Sequence, residues 1–269
     1  MPMVHPFDEA LELAGTDSPN RLTGATHPAW ANMVGPFGGM TAATLVGAIA
    51  SHPEALGDPL ALTVNYLAPI ADGPFELLLN PVRTNRTNQH WIVELCQDGE
   101  PKTTATAVFG VHRDTWTDVE AVMPVVPAPE DVERRGQDFP IWLSRFDLRM
   151  VEGAPPLTEG EESPSSTTTL WVRDAAGRPL DYPGLAACSD IFFPRIYLRT
   201  GRLIPAGTIS LTTYFHASRD ELAALGDDFL LCTARALRFS RGFFDQSATL
   251  WGRDGVLLAS SHQLVYFKG

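Results

Sequence analysis

RTNRTNQHWIVELCQDGE (residues 83–100) and RFSRGFFDQSATLWGRDG (residues 238–255) are two versions of one pattern. Each opens on two arginines three positions apart, continues through a strand-like run and ends on an Asp-Gly pair. The arginines recur 155 residues on (238 less 83) and the Asp-Gly pairs 156 on (254 less 98), so one residue separates the copies. Asp-Gly between such runs is a hairpin turn. Reading outward, the first copy is flanked by LALTVNYLAPI (60–70), FELLLNPVRTN (75–85) and TTATAVFGVH (103–112). The second has TISLTTYFHA (208–217), FLLCTARALRF (229–239), FDQSATLWG (244–252) and VLLASSHQLVYF (256–267). LTVNYLAP pairs with LTTYFHAS, so helix, arginine pair, turn and last strand occur twice in one order, which reads as a duplication.

Each series follows an apolar stretch with helical composition. GGMTAATLVGAIASH (38–52) is opened by glycines, and SDIFFPRIYLRTG (189–201) carries Ser and Asp at its start and Gly at its end, as helix caps do. Neither has a wide polar face, so each is expected to be buried on most sides. One buried helix followed by consecutive antiparallel strands is an α+β arrangement, a curved sheet wrapped around a central helix. The expected organisation is an N-terminal half at 1–112, a linker rich in Pro, Val and acids at 113–137, and a second half at 138–269. In that second half FDLRMVEG (146–153) and TTTLWVRD (167–174) read as strands around a polar loop.

Composition narrows the function. At 269 residues and 44% apolar the chain can bury a sizeable core, and its formal charge of −12 argues against a general nucleic-acid binder. A phosphate-bearing ligand would have to be met by local Arg and Lys rather than by long-range attraction. Cys96, Cys188 and Cys232 have no metal-ligand spacing and read as buried thiols. No stretch is long and apolar enough for a membrane span, and the N-terminus lacks the pattern of a signal peptide, so a cytoplasmic protein without metal or cofactor is expected.

The order and spacing of VGPFGGMTAATL, the 83–100 hairpin, FDLRMVEG, TLWVRD, CSDIFFP, TISLTTYFH and RGFFDQSATLWGRDGVLLASSHQ resemble the acyl-CoA thioesterase II family. The resemblance covers most of the chain from about Val34 onward. It implies a double hotdog fold, an acyl-CoA substrate, a role in lipid metabolism and assembly as a homo-oligomer. It further implies a water held by an Asp, a Ser/Thr and a Gln of the second half, which fall on Asp190, Thr208 and Gln263. Where family members often carry Asp-His after the hydroxyl residue, this chain has Ser210 and Leu211, leaving Thr208 or Ser210 as the hydroxyl.

Those residue types suit thioester hydrolysis. A partly desolvated carboxylate can act as the base, while Gln and Thr offer donors and acceptors that orient water without competing for its proton. Gly39, at a helix start, is the candidate for a backbone oxyanion donor. Gln263 corresponds to Ala107 in the first copy (263 less 156), so one chemical centre is expected, with the first half as scaffold and pocket wall. Phe192, Phe193, Phe243 and Phe244 are candidates for an acyl pocket, and Arg83, Arg86, Arg238 and Arg241 for the phosphates of coenzyme A. Arg195, Arg199 and Arg202 are further cations near the second helix. Each residue also has an ordinary reading: Asp190 as a helix cap, Thr208 and Gln263 as strand residues, the phenylalanines as core, the arginines as solvated charges. The alternatives in function are a non-catalytic acyl-CoA or lipid-binding hotdog protein, and an enoyl-CoA hydratase-like enzyme, for which the histidine near Asp190 is absent.

Overall fold

A computed structural model describes residues 4–136, 139–156, 160 and 162–268. The first copy contributes α1 (Pro6–Ala10), β1 (Ala14–Gly15), β2 (Arg21–Ala25), α2 (Gly38–Ala50), β3 (Asp58–Tyr66), β4 (Pro74–Thr84), β5 (Asn88–Gln97) and β6 (Glu100–Gly110). The second contributes β7 (Phe146–Glu152), β8 (Thr168–Asp174), α3 (Tyr182–Cys188), α4 (Ile196–Thr200), β9 (Ala206–Phe215), α5 (Arg219–Leu225), β10 (Leu230–Arg235), β11 (Phe239–Ser240), β12 (Phe243–Gly252) and β13 (Leu257–Phe267). The expected boundary at 137/138 and part of the polar loop at 154–166 fall outside the described residues.

The strands alternate as a half-buried sheet requires. Trp91, Val93 and Leu95 of β5 point inward with Ala105, Ala107 and Phe109 of β6, and Ala259, Ser261, Gln263 and Val265 do so on β13. Asp98 and Gly99 both have positive φ (53° and 77°), the backbone that a two-residue hairpin turn needs. All described strands belong to one 13-stranded antiparallel sheet, in which β3 pairs with β9 and fuses the two copies edge to edge. Thr63 and Thr212 meet across that seam at 3.0 Å between hydroxyl oxygens.

Because β3 and β9 run antiparallel, equivalent parts of the two copies lie at opposite ends of the strands. The 83–88 turn sits beside Gly110 and Asp58, at the start of β3. The 240–243 turn sits beside Tyr266 and Gly207, at the start of β9 and hence near the far end of β3. Eight residues of strand, two along β6 from Gly110 to Val108 and six along β13 from Ser260 to Tyr266, separate these two levels, about 26 Å.

Helix α2 matches the expected stretch and is buried along almost its whole length. The second helix does not match. Residues 182–188 form α3, opened by the N-cap Asp181, whose carboxylate accepts from the Gly184 amide at 2.8 Å. Pro194 interrupts the expected 189–201 helix, leaving only α4 at its end. Asp190 therefore follows a helix rather than starting one. The signal for α3 lies in Asp181-Tyr-Pro, an N-cap with Pro just inside the helix, about two turns upstream of the start of the 189–201 stretch.

Helices α2 and α3 pack through small residues. A methyl added at Gly39 would stand 2.5 Å from the Ala187 carbonyl oxygen, whereas at Gly47 it would meet only Pro183, at 3.8 Å. Helix propensity favours alanine at both by about 1 kcal/mol. At Gly39 the clash is with backbone and wins: Gly39→Ala is expected to destabilise by about 2 kcal/mol, and Gly47→Ala to stabilise by several tenths. Denaturant melts of the two variants check this opposition of sign.

The linker also packs. Met123, Val126 and Val132 cover an outer-face cluster of Trp171, Phe229, Leu231 and Trp251, and the Trp171 indole donates to the Pro127 carbonyl at 2.9 Å.

Candidate active site

The carboxamide of Gln263 joins the three predicted residues. Its Nε2 donates to Asp190 Oδ1 at 2.8 Å, and its Oε1 accepts from the Thr208 hydroxyl at 3.3 Å. Gln263 is 6% exposed on the inner face of β13. His262 points to the opposite, exposed face, as strand alternation demands.

Thr208 owes its direction to a bulge. Leu211 pairs with Gln263 and Ser210 with Leu264, but the next residue of β13, Val265, pairs with Thr208, so Ile209 is left over. Three residues from inward-facing Leu211, Thr208 would face outward in a regular strand. The extra residue turns it inward, toward Gln263, and leaves Ser210 facing away.

Asp190 is fixed from below. The Ser189 hydroxyl lies 2.8 Å from that of Thr213 and donates to the Ala186 carbonyl at 2.7 Å, while Ser261 donates to the Ser189 carbonyl at 3.3 Å. From the other side Arg195 clamps the loop. Its guanidinium donates twice to the Phe193 carbonyl (3.1 and 2.6 Å), and to the Ser166 carbonyl and Thr168 hydroxyl. Arg195 is fully buried, and that burial lowers its pKa to about 9. It is a structural tie and cannot meet a phosphate in solvent.

The first copy enters the site as more than scaffold. Antiparallel packing of the helices brings the N-terminus of α2 to the C-terminal end of α3, where the Gly39 backbone N–H lies beside the Asp190 carboxylate and favours its charged form. A methyl at Gly38 would stand 2.7 Å from Asp190 Oδ2 and 3.2 Å from the Tyr66 hydroxyl, so glycine is what permits the approach. Tyr66 donates to the Gly38 carbonyl at 2.8 Å. Burial and the neighbouring Asp190 push the tyrosine pKa well above its usual value, so its hydroxyl stays protonated. No spacing in the sequence tied Tyr66 to Asp190; only helix packing does so.

Burial raises the Asp190 pKa to about 7, against the opposing pull of hydrogen bonds from Gln263 and Gly39. A carboxylate with a pKa near neutrality, partly open to solvent and braced by a carboxamide, suits a general base. The amide that supports it belongs to the start of α2 and not to its own helix. The N–H of Gly39, the candidate oxyanion donor, lies on the same side of the site as the Asp190 carboxylate, whose charged form it favours.

The outer candidates divide. Phe193 and Phe244 share a cluster with Ile196, Tyr197 and Val265, and Phe192 belongs to the main core. Phe243, adjacent to Phe244 on β12, points outward and is 45% exposed, so it does not line the same pocket. Two small cavities, about 30 and 20 Å³, lie beside Phe7 and Cys188 and beside Trp30 and Met40, away from the Asp190 carboxylate. They are of water size and do not house an acyl chain. Arg83, Arg86, Arg238 and Arg241 are all exposed, but the antiparallel fusion places Arg238 and Arg241 at the Thr208 end of the sheet and Arg83 and Arg86 at the other. Arg199 donates to the Ser163 carbonyl at 2.9 Å, and exposed Arg202 lies close in sequence to the start of β9. Among the described residues no cluster of metal-ligating side chains occurs, and no helix is long and apolar enough to cross a membrane.

Comparison with known proteins places this geometry in context. A conserved protein of unknown function with a hot dog fold from Alicyclobacillus acidocaldarius is 46% identical over 99% of both chains, with a TM-score of 0.94. The acyl-CoA thioesterase II TesB2 of Mycobacterium marinum superposes with a TM-score of 0.76 at 19% identity, covering 97% of this chain and 98% of that one. The tesB protein of Mycobacterium avium subspecies paratuberculosis gives 0.79 at 21%, covering 98% of each. The first of these likenesses shows the hot dog fold, and the other two share the same backbone over nearly their whole length. No curated relative matches the chain. The sequence matches the N-terminal domain of acyl-CoA thioesterases over residues 26–110 and their C-terminal domain over 117–267. The chain thus belongs to the acyl-CoA thioesterase family, carrying both of its domains in one polypeptide.

Proposed function

We propose that this protein hydrolyses the thioester of a fatty-acyl-CoA to the free acid and coenzyme A, with Asp190 as base and Gln263 and Thr208 holding the attacking water. The observation that carries the reading is the Gln263 carboxamide, which donates to Asp190 while accepting from Thr208. A water between these groups loses its proton to Asp190 as its oxygen adds to the thioester carbonyl carbon. The tetrahedral intermediate collapses, the C–S bond breaks, and the thiolate takes the proton from Asp190. Water and thioester are consumed, acid and thiol are formed, and Asp190 is again a carboxylate. Of the candidate phenylalanines, half-buried Phe193 has apolar surface to offer the acyl chain, with Phe192 and Phe244 in the core behind it.

In this reading residues 1–112 supply the α2 terminus and the pocket wall, 113–137 the linker, and 138–269 the reacting groups. Action on lipid-derived acyl groups in the cytoplasm, as a homo-oligomer, belongs to the same proposal. Release of free thiol from acyl-CoAs of graded chain length tests it. Tight acyl-CoA binding without thiol release at any length would instead identify a binding protein.

The nucleotide phosphates of coenzyme A would meet Arg238 and Arg241, the predicted arginines at the Thr208 end, where exposed Lys268 also lies, its N–H on the Pro205 carbonyl. Exposed cations act weakly one at a time, so the double variant Arg238→Gln/Arg241→Gln is expected to raise KM for acyl-CoA by about fivefold to tenfold. The KM for an acyl-pantetheine, which lacks the nucleotide, should not move. An Arg83→Gln/Arg86→Gln variant, altered at the distant turn, should leave both values unchanged.

A further inference from the structure

One buried polar side chain on the inner face of the second copy has no task in the mechanism above. Gln246 of β12 is 1% exposed, and its amide nitrogen has no hydrogen-bond partner among the described residues. Buried amides are rarely left this way, because forfeiting the bond costs about 1–3 kcal/mol. Three other buried groups share the condition: Thr103, whose register partner is Tyr66 of the first copy, and Trp142 and Trp251; none of the three is paired across strands with Asp190, Gln263 or Thr208.

Gln246 is so paired: its register partner on β13 is Gln263. Directly opposed residues stand about 5 Å apart at Cβ and share one face of the sheet. Phe244 and Ala248, its neighbours on the same face of β12, are buried and apolar, and Ala248 is paired with Ala234 on β10. These flanks provide no side-chain acceptor. The polar set beside Gln246 is Gln263 with Asp190 and Thr208.

We propose that Gln246 donates its side-chain amide to the carbonyl oxygen of the bound thioester and to the oxyanion that forms from it. The proposal rests on the reading of Asp190, Gln263 and Thr208 as the hydrolytic centre. Water held beside Gln263 can attack only a carbonyl carbon about 3 Å away, which brings the carbonyl oxygen within one strand's width of Gln246. The backbone donor expected for this task, Gly39, lies beside the Asp190 carboxylate, whose charged form it favours. A neutral amide, already desolvated and waiting without an acceptor, needs little reorganisation when charge develops on that oxygen. The unmet bond in the free protein is then a feature of the resting site that substrate completes.

Gln246→Leu, near-isosteric, tests this in the full-length protein with the acyl-CoA that wild type cleaves fastest. The expected result is a kcat lowered about 100-fold, KM within threefold of wild type, and a melting temperature equal to or above that of wild type. A second reading uses a thioester labelled with ¹³C at the carbonyl and bound to Asp190→Asn. Its infrared carbonyl stretch should lie below the solution value and return to that value when Gln246→Leu is added. A kcat within threefold of wild type, or a loss of kcat with the carbonyl stretch unmoved, overturns the assignment. Undiminished turnover in Asp190→Asn alone overturns the hydrolytic centre, and the Gln246 assignment with it. Inactive Asp190→Asn beside fully active Gln246→Leu removes only Gln246.

Discussion

Asp190→Asn is expected to lower kcat for acyl-CoA hydrolysis by about 10³-fold, because it removes the one group beside the water that can accept a proton. Asparagine keeps the shape of the aspartate side chain, so the loss should appear in kcat far more than in KM. Wild-type kcat/KM should rise with pH through an apparent pKa near 7, the value to which burial brings Asp190, and level off above it. The residual activity of the variant should lack that rising limb. Stability gives an independent check. The folded-state pKa of about 7 lies above the ordinary 3.8, so between these values the native protein holds a proton that the unfolded chain has released. Wild-type stability should therefore fall as pH rises from about 4 to about 7 and stay flat beyond. The Asn variant, with nothing to titrate, should match wild type near pH 4 and exceed it at pH 8 by up to a few kcal/mol. Full activity in the variant would remove Asp190 from the mechanism.

Gln263→Leu is the second large effect. It removes the donor to Asp190 and the acceptor for Thr208 together, so the water loses its orientation and the base loses a hydrogen bond that favours its charged form. On the alkaline plateau kcat should fall about 10²-fold. Below the plateau the deficit should widen, since the rising limb moves to higher pH as Asp190 becomes harder to ionise. A simple loss of packing would lower activity without moving that limb. Steady-state pH profiles of wild type and variant decide between them.

The site was legible in the sequence to different depths. Asp190, Thr208 and Gln263 could be named because each sits in a stretch resembling the family, and the duplication exposed the contrast between Gln263 and Ala107. The direction of Thr208 could not be read, because alternation from Leu211 turns it outward and only the bulge at Ile209 reverses this. Tyr66 and Gln246 lacked any local signal: each looks like a strand residue until a helix end or a neighbouring strand is set beside it. The phenylalanines and arginines were chosen by type and proximity in sequence. Such a choice cannot separate Phe243 from Phe244, or one turn of the duplicated pair from the other.

By itself the sequence determined the strands, their hairpin turns, the buried helix α2 and the presence of two copies. Those follow from periodicity, from turn residues with restricted backbones and from repetition, all of them local. What only the tertiary structure decided is how the copies face each other. Pairing β3 with β9 antiparallel sends the two arginine turns to opposite ends, and packing α2 against α3 carries Gly38, Gly39 and Tyr66 of the first copy to a carboxylate of the second. Contacts between residues more than a hundred positions apart depend on which edges meet and in which direction. That is fixed by the burial of whole faces and leaves no mark in any short stretch of chain.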